Sequence, residues 1–411
     1  MRLNRAARCA LLLVALTLVG CGGKVTPTVE VQATVAVMTP RPTFTSAPAA
    51  SVALPTETAP QPTDTLAPTT AATEAPTLER TPEAVATDTA VPPTATVPAP
   101  TPTEQPTVTP IVKPVDVRMA SPEYGMQAFL WWRPEVASRD LQVIHEAGFG
   151  WVKANFGWRD IEGANKGVYD WSRTDRIVEQ VAVDGLDLLV RIDHQPGWTT
   201  GGRQTNGPPD NLNDLADFLT AIVGRYRGRV RAWEVWNEPN LAREWGGQVP
   251  DPGAYVKMLK VAYAAIKAAD PNAIVISAGL SPTATWSNEA RPDDWYLESM
   301  YLAMGGNSSG YYDLLGVHAP GYKVAPETDP ATVAADPNLG GQRAFCFRRV
   351  EDLRAIMVKY GDGNKQIALL EFGWTSDPRP DSPYFWHAVS EQTKGEYMVR
   401  AFRYAKEHWS P

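Results

Sequence analysis

Two glutamates carry the chemistry this chain could do. Glu238 lies in residues 233–240, WEVWNEPN, and Glu371 in residues 369–374, LLEFGW. Each ends a short apolar run and is followed at once by a turn or helix signal. Hydrolysis of a glycosidic bond needs two carboxyl groups from different elements, one to protonate the leaving oxygen and one to attack or support the developing oxocarbenium carbon. A lone strand-end glutamate is more often a helix cap or the partner of a surface arginine. The company these two keep is what singles them out.

Elements able to position them are legible in the hydrophobic pattern. Short apolar runs at 124–129, 151–156, 187–193, 230–237, 273–278, 314–318 and 366–371 predict strands. Amphipathic stretches at 136–147, 172–184, 211–226, 252–269, 293–304, 343–360 and 394–408 predict helices between and after them. Such alternation predicts an α/β fold with a parallel sheet, and eight units would close a (β/α)₈ TIM barrel. In that barrel strand tips at the C-terminal face carry catalytic groups, which is where both glutamates fall. Only seven units are counted, so the barrel is expected to be truncated before strand eight, with a gap between strands one and seven. The connection 319–342, with four prolines, is expected to be a long loop walling the cleft.

The WNEPN string resembles the acid/base motif of the clan-A retaining glycoside hydrolases, and EFGW resembles their nucleophile segment after strand seven. The likeness is nearest to families 5 and 39 and covers roughly residues 120–411. Residues 158–171, WRDIEGANKGVYDW, and 190–198, VRIDHQPGW, resemble the loop after strand two and the third strand with its loop. The resemblance implies Glu238 as general acid/base, Asn237 as a ligand of the sugar 2-hydroxyl and Glu371 as nucleophile. It also implies a histidine on strand six and a nearby tyrosine beside the nucleophile, for which His318 and Tyr322 are the candidates. Ionised Glu371 is expected to raise the proton affinity of Glu238 and keep it an acid near neutral pH.

Aromatic residues extend the site. All 14 tryptophans lie after residue 130, and flat aromatic faces stack well on sugar rings. Trp158, Trp198, Trp245, Trp286, Trp374 and Trp386 lie in loops following strand ends, and Trp158, Trp198, Trp245 and Trp374 are the ones expected to bind substrate, with Trp198 the strongest because it directly follows His194-Gln-Pro-Gly. His194 itself stands on the expected rim. Trp151, Trp233, Trp236, Trp295 and Trp409 read as core. Glu234 shares strand parity with Glu238 but lies deeper, where it needs a cation, and Arg191 is the expected partner. Asp193, nearer the rim, is a secondary ligand candidate.

Composition organises the rest. Residues 1–23 combine a basic start, an apolar run from Ala10 to Val19 and Leu18-Val19-Gly20-Cys21, which looks like a bacterial lipoprotein signal with Cys21 as the lipidated residue. The run is too short to span a bilayer. Residues 24–116 are rich in Thr, Pro, Ala and Val, with Phe44 the only aromatic residue, and are expected to form a disordered linker that cannot bury a core. Residues 117–411 are expected to be the catalytic domain. Of three cysteines, Cys9 falls within the signal, Cys21 takes lipid and Cys346 is left unpaired, so no disulfide is expected; Cys346 reads as a small buried apolar residue in a helical stretch.

The formal net charge of −8 argues against nucleic-acid binding. No HExxH, phosphate loop or clustered Cys/His is present, so no cofactor or metal is expected. The expected protein is a monomeric, membrane-anchored cell-surface hydrolase acting on extracellular carbohydrate. The rival reading is a surface carbohydrate-binding protein that keeps the barrel without turnover.

Overall fold

Strand β1 (Gly125–Gln127) is followed by helix α1 (Pro134–Glu146), β2 (Trp151–Gly157), a one-turn α2 (Trp158–Ile161) and α3 (Ser172–Val183). Then come β3 (Asp187–Asp193), α4 (Leu212–Arg225), β4 (Ala232–Val235), α5 (Pro252–Ala269), β5 (Ile274–Ser277), α6 (Asp293–Ala303) and β6 (Leu315–His318). The order ends with α7 (Pro330–Ala335), α8 (Arg349–Lys359), β7 (Ile367–Glu371) and α9 (Glu391–His408). This is a computed structural model, and it describes residues 119–409. The signal segment, Cys21 and the 24–116 linker lie outside the described residues.

Local chemistry explains the boundaries. Asp251 accepts from the backbone N–H groups of Gly253 and Ala254, and Pro252 occupies the first turn, so α5 starts where the cap and the proline place it. Ser390 caps α9 through the Thr393 N–H, so the helix begins at Glu391, three residues before the start expected from apolar spacing alone. The 319–342 connection is not structureless: it contains α7, capped by Asp329, and a 3-10 turn at Pro337–Leu339 capped by Asp336. Pro330 and Pro337 sit in the first turns of these two elements, where a missing N–H costs nothing. Cys346 is fully buried but precedes α8 in a turn rather than lying in the helix.

β1 to β5 form one parallel sheet in chain order and β6 pairs with β7. Backbone bonds from Asp313 and Leu314 to Val275, and from Ser277 to Leu314, join the two groups at β5. Inside this ring of strands Trp151, Leu189, Ala232, Ile274, Ile276, Leu314 and Leu370 make an apolar floor. Between sheet and helices a larger cluster includes Val152, Phe156, Val190, Trp233, Val275 and Val317 from the strands and Phe218, Tyr255 and Leu297 from helices. Strands buried on both faces read as nearly continuous apolar runs, which is why the sequence pattern located them.

Among the described residues no ladder joins β7 to β1, the gap expected from the seven units counted. Two contacts span that opening. Gln366 accepts from the Met119 N–H at 3.0 Å and donates to its carbonyl at 2.9 Å. Phe402 of α9 packs on Tyr124, Phe149 and Phe372 at ring separations of 5.1, 5.6 and 5.3 Å. No described helix is long and apolar enough to cross a membrane.

Candidate active site

Above the apolar floor the ring turns polar in a single layer. The register places Asn155, Arg191 and Glu234 side by side on β2, β3 and β4, and parallel strands in register point such residues to the same face. Lys153, one step deeper on β2, places its Nζ 2.7 Å from Glu234 Oε2. Lys153, not Arg191, is therefore the ion partner of Glu234. Arg191 instead reaches upward: its NH1 donates to Glu371 Oε1 and to Asn237 Oδ1, both at 2.9 Å, and its Nε lies 3.0 Å from Asp193 Oδ2. Burial opposes the guanidinium charge, but Asp193, Glu234 and Glu371 together hold it firmly protonated.

Glu371 at the tip of β7 receives this support from below, with Lys153 Nζ also 3.7 Å from its Oε1. Glu238 stands just past β4, its N–H bonded to the Gly279 carbonyl. His318 ends β6 between them, with Nδ1 3.3 Å from Glu238 Oε1 and 3.8 Å from Glu371 Oε2. One oxygen of each glutamate and a ring nitrogen of His318 all lie within 4.8 Å of one another. Such a trio is close enough to hold a cation, and paired acids in glycoside-cleaving sites have a similar spacing without one.

The backbone is strained here and nowhere else among the described non-glycine residues. His194, Trp236, Glu238 and Tyr322 have φ of 56°, 77°, 39° and 51°, each just beyond the tip of β3, β4 or β6. Such conformations cost about 1–3 kcal/mol each and persist where the surroundings dictate them, as at active sites.

Glu238 is held as an anion. Burial would raise its carboxyl, but the hydrogen bond and charge of His318, with the Arg243 guanidinium 3.0 Å from Oε2, outweigh it and pull the carboxyl down to about 2. The expectation that Glu371 keeps Glu238 protonated near neutral pH is therefore not met in the empty cleft: the His318 and Arg243 contacts outweigh the neighbouring acid.

The cleft has a volume of about 690 Å³ and is lined by Glu238, Arg243, His318, Tyr322, Glu371 and Trp374, among others. Trp374 shows its ring there while its indole N–H donates to the Val324 carbonyl. Gly321 makes room for it, since a Cβ would stand 2.0 Å from that ring. Tyr322 faces the cleft but donates at 3.4 Å to the Pro282 carbonyl rather than to Glu371. Burial raises its hydroxyl further above the ordinary range.

Three tryptophans expected to face sugar do not line the cleft. Trp158 is fully buried, stacked on Phe218 and bonded to Glu162 Oε2. Trp245 is buried against Tyr255. Trp198 packs edge-on against Trp158 and spends its N–H on the Glu162 carbonyl. His194 is likewise outside the cleft lining; Asp193 binds its Nδ1 at 2.5 Å and raises its proton affinity. Sequence reasoning missed Lys153, Arg243 and the 375–387 segment, which contributes Thr375, Ser376, Asp377, Tyr384 and His387 to the lining. A lysine of inward parity on a strand whose only other polar residue is Asn155 was the available signal for Lys153.

A sequence model described as cellulase (glycosyl hydrolase family 5) matches residues 113–302, a span that includes the Asn237-Glu238 tip. Over that span the chain is similar to the family 5 glycoside hydrolases. A β-xylosidase of Geobacillus stearothermophilus is 31% identical over 127 residues, 28% of this chain and 25% of that protein. Endo-1,4-beta-xylanase B of Thermotoga neapolitana is 28% identical over 155 residues, 34% of this chain and 40% of that enzyme. The alignments thus span a quarter to two fifths of these two relatives. A solved family 39 glycoside hydrolase from Bacteroides cellulosilyticus is similar over 69% of this chain and 54% of its own, with 17% identity and a TM-score of 0.46. The family match covers β1 to β5 with Glu238, Arg243, Ser281 and Pro282 of the cleft lining; His318, Glu371 and the lining after them lie beyond the matched residues.

Proposed function

We propose that this domain hydrolyses β-glycosidic bonds of extracellular poly- or oligosaccharides by double displacement. The observation that carries the reading is the approach of Glu238 and Glu371, whose nearest oxygens lie within 4.8 Å across His318. Retaining enzymes hold their two carboxyl groups about 5–5.5 Å apart, whereas inverting enzymes leave about 6.5–9.5 Å for a water. Glu371 attacks the anomeric carbon, forming the glycosyl-enzyme bond, as Glu238 gives its proton to the departing glycosidic oxygen. Glu238 then takes a proton from water, whose oxygen displaces Glu371 and releases the sugar with retained configuration.

Supporting roles follow from the geometry. Arg191 and Lys153 face Glu371 Oε1, and Arg191 fixes Asn237, the residue for which the family resemblance implies contact with the sugar 2-hydroxyl. Trp374 and Tyr322 supply flat walls on the cleft. The relatives named for xylose-containing substrates make β-1,4-xylan and its oligomers the first candidates.

Residues 1–23 support export and attachment through lipid on Cys21, and 24–116 support a stalk. We place the domain, as a monomer, on the outside of the cell.

The test is sugar release from xylan, β-glucans, mannan and aryl β-glycosides by the full chain and by Glu371→Gln, with product configuration followed by NMR. Release that disappears in Glu371→Gln and starts with the β-anomer supports the reading. Glycan binding with no release by the wild type replaces it with a carbohydrate-binding role.

A further inference from the structure

Both oxygens of Glu238 are occupied in the empty cleft, yet the glycosidic oxygen must reach one of them for proton transfer. Oε1 faces His318, which is 1% exposed and fixed within β6. Oε2 faces Arg243, whose side chain is 70% exposed and stands on the cleft wall. Only the second partner is free to yield.

Arg243 lies in the 3-10 turn Ala242–Glu244 directly after the strand tip. The backbone of that turn is pinned, because Ala242 donates to the Glu289 carbonyl at 2.8 Å and Leu241 bridges Ala290. A second carboxylate waits for the guanidinium: Glu244 Oε1 is 3.7 Å from Arg243 Nε, and Glu244 is held by Asn206 Nδ2 at 2.6 Å from its Oε2. The side chain can therefore swing from Glu238 to Glu244 without moving the turn.

We propose that Arg243 is a positioning residue that keeps Glu238 charged in the empty cleft and leaves Oε2 when a glycoside enters, so that substrate arrival itself lets Glu238 gain the proton it donates. This rests on the retaining reading above and deepens it. The proton comes from solvent, and no other bond changes. The charged and titratable groups facing Glu238 are Arg243 from its own turn, His318 from β6, Glu371 from β7 and Tyr322 from the loop after β6. Of these, Arg243 is the exposed cation.

Arg243→Gln and Arg243→Lys in the full chain test the proposal. Glu238 is titrated directly by ¹³C NMR of glutamate-labelled protein, its signal assigned by its absence in Glu238→Gln. The pH dependence of kcat/KM and of kcat is measured on an unactivated oligosaccharide. Arg243→Gln should raise the Glu238 titration, and the basic limb of kcat/KM, by about 1 pH unit or more. The basic limb of kcat should move far less, because the cation has already left in the complex, and Arg243→Lys should restore most of the wild-type titration. An unmoved titration in Arg243→Gln, or equal shifts of both limbs, would overturn the proposal. If the wild type releases no sugar, the retaining reading fails while the NMR titration still reads the Arg243 contact.

Discussion

Gly279 and His318 cannot both carry a side chain in the space they share. A Cβ on Gly279 would stand 2.1 Å from His318 Cδ2 and 2.3 Å from Nε2, while the Gly279 carbonyl receives the Glu238 N–H. One glycine on the β5 tip thus positions both the acid and the histidine beside it. Gly279→Ala should displace the imidazole and lower kcat about 100-fold, the scale set by a misplacement of about 1 Å in a catalytic group. Circular dichroism should show the fold retained. A variant with unchanged kcat would show that the position of His318 is immaterial.

Lys153 and Glu234 form a buried pair, their side chains 8% and 0% exposed. Lys153→Met leaves the carboxylate without its nearest cation and should destabilise the domain by about 3–5 kcal/mol. Adding Glu234→Gln should recover part of that loss. Urea unfolding of the two single variants and the double variant measures the coupling, and strict additivity would remove the pair from the stability account.

Trp158 and Trp374 should separate structure from binding. Trp158→Ala empties a fully buried site and should cost about 3–5 kcal/mol. Trp374→Ala removes a cleft wall and should raise KM for oligosaccharides more than it lowers the unfolding midpoint. Thermal unfolding and steady-state kinetics on both variants decide, and a reversed pattern would exchange the two roles.

Stability should also report the ionisation of Glu238. Its folded-state carboxyl lies at about 2, against an ordinary 4.5. A depressed value means that the contribution is fully present above about pH 4.5 and is lost as pH falls through about 2. Relative to Glu238→Gln, the wild type should lose stability across that window in urea titrations. Parallel curves would show that Glu238 titrates alike in both states.

The strand ends and both glutamates were readable because their signals are local: apolar runs with period, a turn signal and an acid in sequence. The α5 span was also visible, since its cap and proline adjoin the apolar stripe. Trp198 was misjudged because its fate depends on the Glu162 carbonyl, 36 residues away. Trp158 follows a strand tip as a sugar-facing residue would, but continues into a short helix that turns its ring onto Phe218. The ion pairing of Glu234 depended on a choice between two inward cations, which parity cannot make. Arg243 had no signal of its own, because an exposed arginine in a polar turn is ordinary until the acid facing it is known.

The bridge from Met119 to Gln366 joins groups 247 residues apart. Loop closure over such a separation is among the entropically slowest contacts a chain makes, and long-range pairing slows folding. During synthesis the β1 edge must therefore wait, with Tyr124 and Phe149 uncovered, until Gln366 and Phe402 have been made. The half carrying Glu238 emerges long before the half carrying Glu371, so the assembly of a working pair of acids is a late event in the life of each new molecule.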